Sequence, residues 1–321
     1  MEDLVYLLQK TLIYAAPLLI VALGGMFSER SGVINLALEG EMIFGAFCGA
    51  ILARFFIMQN ILVNTNIQLM FLIVMLFSAL CGALFALLLS FSAINLKADQ
   101  TIGGTALNML AAALVNVFAL SLFNMEKVQM PIFPGYVIKN SDLPPILQIF
   151  GDKAYLSTYV IVIVFIILSI WIYKTKTGMR LRSCGEHPQA AASVGINVFR
   201  MRYLGTMISG ALAGLGGYAY IATVANGTAE SSVGGMGFLA LAIMIFGNWK
   251  PLGIALGAVL FGFLKCIGPV ASSVDFLKSL GLEMYFYNII PYVVVLIVLA
   301  LTAKKSGCPK AEGIPYDKGM R

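Results

Sequence analysis

Long apolar segments alternate with short polar ones along most of the 321-residue chain. A helix needs about 20 apolar residues to cross roughly 30 Å of hydrocarbon, so segments of this length indicate membrane spans. By this measure we predict spans at 4–27, 41–58, 69–92, 104–123, 156–173, 204–224 and 285–302.

Two shorter apolar segments, 237–247 and 252–267, flank the turn Asn248-Trp249-Lys250-Pro251. As a helix, the first would cover only about 16 Å. We therefore expect a broken or partial helix, which a membrane tolerates only where its free backbone groups are buried in protein or line a cavity. The predicted fold is an all-α, polytopic transmembrane helix bundle of about 8–10 spans, including broken or partial helices.

Composition supports a membrane location. Hydrophobic residues make up 60% of the chain and charged residues only 11%, and the mean hydropathy is +0.91. Because soluble domains carry about 25% charged residues, we predict an integral membrane protein. The length leaves no room for a second large soluble domain, and no G-x-x-x-x-G-K-[ST] phosphate loop is present. ATP-driven chemistry must therefore come from another chain.

Segment 174–203 is polar and basic, with Glu186 as its single acid. Its cations are Lys174, Lys176, Arg180, Arg182, Arg200 and Arg202. Lys and Arg are retained on the cytoplasmic side of membranes, so we place this loop inside. The Lys-rich tail 304–321 is placed inside as well, and the loops 124–155 and 268–284 outside. Topology and anionic headgroups explain the formal charge of +6, so we predict no nucleic-acid partner.

A short helix is predicted within the basic loop. Pro188 suits the first turn of a helix, and the alanines that follow favour helix. Gly195 can end the turn in a left-handed conformation.

The beginning of the chain leaves the topology open. Nine spans with a cytoplasmic C-terminus put Met1 outside. If Ser28–Gly40 instead dips back into the membrane, the number of spans becomes even and Met1 moves inside. The acidic start MEDLVY is unlike the basic start of a secretory signal, so we expect no cleaved signal peptide.

Residues suited to catalysis or metal binding are scarce. His187 is the only histidine, and the five cysteines form no C-x-x-C pair, so we expect neither a metal site nor a disulfide. An intramembrane enzyme would need such groups inside the bilayer. A proton-coupled carrier is also poorly supported, because Glu39, Glu41 and Arg54 all lie near the ends of their segment.

Neutral polar and aromatic side chains suit an uncharged ligand better. They hydrogen-bond hydroxyls or the edge of a base, and a base stacked on an aromatic ring gains roughly 1–3 kcal/mol. Interhelical packing is the alternative role for each. The candidates are Asn35, Asn108, Asn116, Thr105, Ser209, Phe238, Phe246 and Trp249.

A weak internal similarity links residues 36–45 to 239–247, through Leu-Ala-Leu followed by Met-Ile-Phe-Gly. In sequence this rich in Leu and Ala, a chance match is one interpretation. The other is a pair of corresponding helices in two halves, as repeats form in other transporters.

Several motifs resemble permease subunits of bacterial ABC importers in the branched-chain amino acid and simple-sugar superfamily. Residues 24–46 contain SERSGVxNxxLEGxM, a pattern similar to that of the group that takes up purine nucleosides. TKTGMRLRSCGEHPQAAASVGINV resembles a second family pattern, which precedes a span. GMGFLALAIMIFGNWKPLGIALGAVLFG and the ending EGIPYDKGMR add to the resemblance, which runs from about Leu4 to Arg321.

The resemblance implies a permease subunit, not an enzyme, of a type II-like importer for nucleosides, with purine nucleosides expected. Simple sugars such as ribose are the alternative substrate, and an ion-coupled carrier is the rival outside the class. It implies a transmembrane domain over 1–303, a cytoplasmic tail over 304–321 and a location in the bacterial cytoplasmic membrane. The length and ending resemble the shorter of the two paralogous permeases that such systems combine.

Partners follow from the same resemblance. They are a cytoplasmic ATPase with two fused nucleotide-binding domains, a second permease and a substrate-binding lipoprotein. No cofactor is expected in this chain, because ATP binds the partner ATPase.

The resemblance also assigns roles to residues. The helix around Glu186–Gly195 is expected to be the coupling helix that the ATPase moves. The expected coupling residues are Arg182, Gly185, Glu186, His187, Pro188, Ala190, Ala191, Gly195 and Ile196. Side chains expected to line the substrate pathway are Asn35, Glu39, Asn108, Phe238 and Phe246.

Overall fold

The computed structural model describes residues 2–130, 137–138, 154–271, 278, 284–302 and 307–319. Within these ranges the chain forms eleven α-helices, and a five-residue π-helical segment, Phe91–Asn95, continues the third of them. The helices are α1 Glu2–Arg30, α2 Leu38–Met58, α3 Ile67–Ser90, α4 Gln100–Phe123, α5 Leu156–Lys174, α6 Lys176–Glu186, α7 Pro188–Ser193, α8 Val198–Thr223, α9 Met236–Phe246, α10 Pro251–Val270 and α11 Met284–Thr302.

Strands are short and lie between helices. The four described strands are β1 Val128–Gln129, β2 Val137–Ile138, β3 Ala154–Tyr155 and β4 Thr228–Ala229. Strand β1 pairs antiparallel with β4, and β2 pairs antiparallel with β3. The prediction of an all-α bundle is confirmed.

Side chains at the helix ends explain several boundaries. The Asp99 carboxylate accepts hydrogen bonds from the backbone N–H groups of Thr101 (2.8 Å) and Ile102 (3.0 Å), which begins α4. Asn124, in the left-handed region with φ 53°, ends it. The Asn197 side chain accepts from Arg200 N (3.1 Å) and begins α8 in the same way.

Seven helices of the described chain are long and apolar enough to cross a membrane: α1, α2, α3 with its π-helical segment, α4, α5, α8 and α10. Helix α9 and the stretch Phe286–Val298 within α11 are shorter apolar helices. The partial helix predicted at 237–247 is confirmed. The prediction of a short segment at 252–267 is wrong, because Pro251 starts a helix that continues through Pro269 to Val270.

Interhelical contacts separate the two faces of the bundle. Arg30, at the end of α1, lies 3.4 Å from the Glu186 carboxylate at the end of α6. Thr11, towards the other end of α1, lies 3.5 Å from the Cys266 sulfur near the end of α10. We call the surface formed by α6, α7 and residues 307–319 the basic face. Helix α1 therefore begins opposite the basic face and ends beside it.

The segment after α1 combines features of both predicted topologies. Residues 31–37 turn back into the bundle, where Asn35 is fully buried. Helix α2 then leads away from the basic face, and Met58 at its end borders a cleft with Met125 and Asn226, which follow α4 and α8. The chain thus re-enters the bundle and still emerges on the opposite face.

Helix α8 contacts α1, α2 and α3. A side chain on Gly45 of α2 would overlap the backbone of Gly214 in α8. The Ser78 hydroxyl of α3 donates to the carbonyl oxygens of both glycines, at 2.6 Å and 2.7 Å. Small residues and short polar links of this kind hold helices together in membranes, where lipid removes the hydrophobic drive between them.

Candidate functional site

Two helices, α2 and α9, begin next to each other inside the bundle, at a place we call the junction. The Glu39 carboxylate of α2 accepts hydrogen bonds from the backbone N–H groups of Gly235 (3.0 Å) and Gly237 (2.6 Å) at the start of α9. The first N–H groups of a helix have no partner within it and carry partial positive charge. Glu39, only 6% exposed, supplies the acceptors for both of these N–H groups.

Asn35 connects the junction to α8. Its amide nitrogen donates to both carboxylate oxygens of Glu41 (3.1 and 3.0 Å) and to the Ser209 hydroxyl (2.8 Å). Its amide oxygen accepts from Ala37 N (3.0 Å). Asn35 and Glu41 are fully buried, so the polar groups of the asparagine are all used inside the protein.

Asn108 of α4 spans the same junction. Its amide oxygen accepts from Gly40 N (2.7 Å), and its nitrogen donates to the Leu36 carbonyl (2.8 Å). One side chain thus links α4 to the backbone on both sides of the α2 start.

The two aromatic pathway candidates lie on α9. Phe238 is 51% exposed, and Phe246 packs edge to face on Phe261 with ring centroids 6.3 Å apart. The structure therefore brings Asn35, Glu39 and Asn108 together at the junction. Their role in the substrate pathway stays a prediction.

The internal similarity falls on the two helices that meet here. Residues 36–45 begin α2, and residues 239–247 cover most of α9. From the junction, α2 runs towards the opposite face. Helix α9 runs towards the basic face, where Trp249 just after it donates from its indole nitrogen to Glu29 (2.5 Å). Two corresponding helices of opposite direction are typical of inverted repeats in transporters.

The basic face is built on α6. Its inner side buries Gly178, Leu181, Cys184 and Gly185. Burial raises the pKa of the Cys184 thiol to about 11, so the sulfur stays neutral and packs as an apolar group. The outer side carries exposed Lys176, Met179 and Arg180, which border a cleft of about 290 Å³ together with Ser183 and Ile196.

Helix α7 follows α6 after a single residue. Pro188 is its first residue, as predicted. Gly195 has φ +84° and its N–H donates to Ala192 O (3.0 Å), while Ile196 N donates to Ala191 O (3.1 Å). This pair of bonds is a Schellman ending, which confirms the predicted glycine stop. The helix ends at Ser193, so it is shorter than the segment around Glu186–Gly195 that the resemblance implied.

The expected coupling residues divide between the surface and the interior. His187, Ala190 and Gly195 are exposed, whereas Gly185, Pro188 and Ala191 are buried. Ile196, at the edge of the cleft, is half-buried.

The two charged members already have partners in this chain. Glu186 pairs with Arg30, and the Arg182 guanidinium lies 4.7 Å from the centre of the Tyr173 ring. The sequence alone did not distinguish the exposed coupling residues from the buried ones, because the burial of a short helix depends on which other parts of the chain cover it.

Several buried residues of this region were absent from the sequence-based candidates. Glu29 binds the Trp249 indole, and Arg202, 1% exposed, donates to the Ile314 carbonyl (2.9 Å). Glu29 lies in the SERSGV motif, and Arg202 follows the segment that ends in GINV. This closeness to the family motifs is the only signal in the sequence that pointed to these two residues.

Comparison with known proteins places this architecture in a family. Residues 7–299 match the family described as branched-chain amino acid transport system / permease component, and the chain belongs to it. It is a membrane-embedded ABC transporter permease subunit and not itself an enzyme.

Two similar proteins match nearly the full chain, and a third matches about half of it. The guanosine ABC transporter permease protein NupQ of Bacillus subtilis is 39% identical over 97% of this chain and 96% of its own. The nucleoside ABC transporter permease protein NupC of Lactococcus lactis is 38% identical over 96% of this chain and 95% of its own. NupB of the same strain, also a nucleoside ABC transporter permease protein, is 28% identical over 47% of this chain and 43% of its own.

Proposed function

We propose that this permease subunit imports nucleosides, and purine nucleosides in particular. The similarity to NupQ and NupC along nearly the whole chain carries the proposal, and the word guanosine in the name of the first supports a purine. The SERSGV…LEGEM motif adds to it, because it includes the three polar residues Asn35, Glu39 and Glu41 of the junction.

The transporter we propose contains three further kinds of subunit. A cytoplasmic ATPase with two fused nucleotide-binding domains supplies the energy, and a substrate-binding lipoprotein delivers the nucleoside. A second, paralogous permease completes the membrane part. The similarity of this chain to both NupB and NupC of one strain supports such a pair. The basic face and the tail 304–321 then lie on the cytoplasmic side of the bacterial membrane, because that side retains Lys and Arg.

Helix α7 is the coupling helix in this proposal. Its exposed Gln189, Ala190 and Ser193 are small or neutral, and Val194 just beyond it is 75% exposed. The cations Lys176 and Arg180 stand beside it on α6. A surface with a short protruding helix and flanking positive charge suits a groove lined by acidic side chains.

Uptake by the complete transporter in proteoliposomes tests the substrate. We expect labelled guanosine to enter when ATP is supplied, and unlabelled adenosine or inosine to compete better than uridine. Ribose should not compete. Strong competition by ribose would support the sugar alternative. Uptake that persists without ATP and stops when the proton gradient collapses would support the ion-coupled carrier.

The coupling surface is tested by Ala190→Arg. We expect the variant to insert in the membrane normally and to lose co-purification of the ATPase, because the added side chain fills the space of the groove. Gln59→Arg, which adds the same charge at the end of α2 on the opposite face, is the matched control and should retain the ATPase. Equal retention by both variants would contradict the assignment of α7.

A further inference from the structure

The tail, residues 307–319, lies against the basic face through its backbone. Ala311 N donates to the Gly185 carbonyl at the end of α6 (2.8 Å). The buried Arg202 guanidinium of α8 donates to the Ile314 carbonyl (2.9 Å), and it occupies the space that a side chain at Gly32, in the segment that leads to the junction, would need. The tail is thus bound to elements on both sides of α7.

One side chain of the tail packs against the inner, buried side of α7. Tyr316 is 6% exposed and packs in a cluster with Cys184, Ala191 and Val198. Its ring meets Phe199 edge to face, with centroids 5.4 Å apart. Because Ala191 is on the inner side of α7, any inward movement of that helix presses on the Tyr316 ring.

The other end of the tail contacts the turn between α9 and α10. Gly307 N donates to the Asn248 side chain. The Glu312 carboxyl group lies close to that of Glu29, which also accepts a hydrogen bond from the Trp249 indole N–H. Asn248 and Trp249 both adopt left-handed φ values, 54° and 52°, in this turn.

Helix α9 extends from this turn to the junction. It has eleven residues and no proline, and its far end is held by the Glu39 carboxylate. A short, regular helix transmits a displacement of one end to the other, so movement of the Asn248–Trp249 turn changes the contact at Glu39.

We propose that residues 307–319 form a strap that transmits movement of α7 to α9 and so couples the basic face to the junction. The inference rests on the proposed role of α7 and adds a second element to it. Tyr316 and Glu312 are positioning residues of the strap, at its α7 end and its α9 end.

An ion pair at the edge of the strap provides a mild way to disturb it. Lys97, in the loop after the π-helical segment, lies 2.7 Å from the Asp317 carboxylate. The two side chains are 46% and 44% exposed. Because both side chains are partly exposed, the positive and negative charges can be swapped between the two positions by mutation without burying a charge. Lys97 has φ 52°, a region that aspartate tolerates.

The alternative is a tail that only stabilises the fold. Both roles predict less transporter when the tail is damaged. Only the strap predicts a change in the number of nucleosides moved per ATP hydrolysed by the transporter that remains assembled. That ratio is the quantity to measure, in proteoliposomes with all partner subunits.

Tyr316→Ala removes the contact beneath α7. We expect the assembled variant to hydrolyse ATP while the transport ratio falls roughly fivefold or more, within the range of coupling changes seen in other proteins. Ile314→Ala is the matched control, because that side chain is 57% exposed and only the carbonyl is used. Its ratio should equal that of the wild type. An unchanged ratio in Tyr316→Ala would overturn the strap.

Three further variants decide the question if Tyr316→Ala does not assemble. Lys97→Asp and Asp317→Lys should each lower the transport ratio, and the double variant should restore it. Ratios equal to the wild type in all three would overturn the strap. A wild-type transporter that moves no nucleoside would count against the proposed function instead, so the two failures are distinguishable.

Discussion

The junction and the basic face use polar residues in opposite ways. At the junction, Asn35 and Glu39 are buried and Asn108 is half-buried, and all three side chains form hydrogen bonds within the protein. On the basic face, Lys176 and Arg180 are exposed on α6 and border a cleft.

This difference has a physical reason. Inside the bilayer an unpaired polar group costs several kcal/mol, so the interior retains only polar groups that have partners. At the surface, water serves as the partner and side chains remain available for another subunit. Mutations at the junction should therefore act mainly on stability, and those on the basic face mainly on coupling.

The largest effect is expected for Glu39→Ala. The variant leaves the N–H groups of Gly235 and Gly237 without acceptors inside the membrane, which should cost about 2–5 kcal/mol. Thermal unfolding in detergent, followed by aggregation or fluorescence, measures the loss. Glu126→Ala, at an exposed site beyond α4, is the control. A Glu39→Ala variant as stable as this control would show that the junction does not depend on the carboxylate.

A smaller loss is expected for Asn108→Leu. It breaks the bonds to Gly40 N and the Leu36 carbonyl and should lower stability by about 1–3 kcal/mol. Asn116→Leu changes the same residue type on the exposed side of the same helix and should change stability by under about 0.5 kcal/mol. Equal effects in thermal unfolding would remove the distinction between the buried and exposed sides of α4.

Gly195→Ala should act locally on the basic face. No neighbour would contact the added methyl group, but φ +84° is strained for alanine by about 1 kcal/mol. We expect faster amide exchange in α7 with little change in overall unfolding. Gly195→Asn should restore much of the protection, since asparagine tolerates this region. Protection unchanged by alanine would contradict the Schellman ending.

The smallest effect concerns pH. The Lys97 ammonium and the Gly319 N–H hold the pKa of Asp317 below its usual 3.8. A lowered pKa in the folded state means that the ion pair contributes stability above that value and loses it as the pH falls further. The tail should become more sensitive to pepsin as the pH drops from about 5 to about 3. In Asp317→Asn, the sensitivity of the tail to pepsin should depend much less on pH. The same pH profile in this variant and in the wild type would contradict a role of the Asp317–Lys97 ion pair.

Predictions from sequence succeeded where one chemical property decided the outcome. Six of the seven predicted long spans match long apolar helices, because the length of an apolar segment fixes whether it crosses the bilayer. Pro188 and Gly195 correctly marked the limits of a short helix, since each restricts or extends its own φ.

Predictions were weaker where several segments meet. The 20 residues of α10 were taken for a short segment, because a proline at each end of a helix looks like a break in the sequence. The tail was assigned only to a side of the membrane, and its contacts with Gly185, Arg202 and Asn248 were not expected.

The sequence by itself determined that this protein is a polytopic membrane permease with one strongly basic surface. Hydropathy and the distribution of charge act residue by residue, and the family motifs identify the class. Only the tertiary structure decided that Glu39 of α2 caps α9 and that the tail reaches from Ala191 to the Asn248–Trp249 turn. Those contacts join residues at least 59 positions apart in the chain, and each contact depends on how whole helices pack.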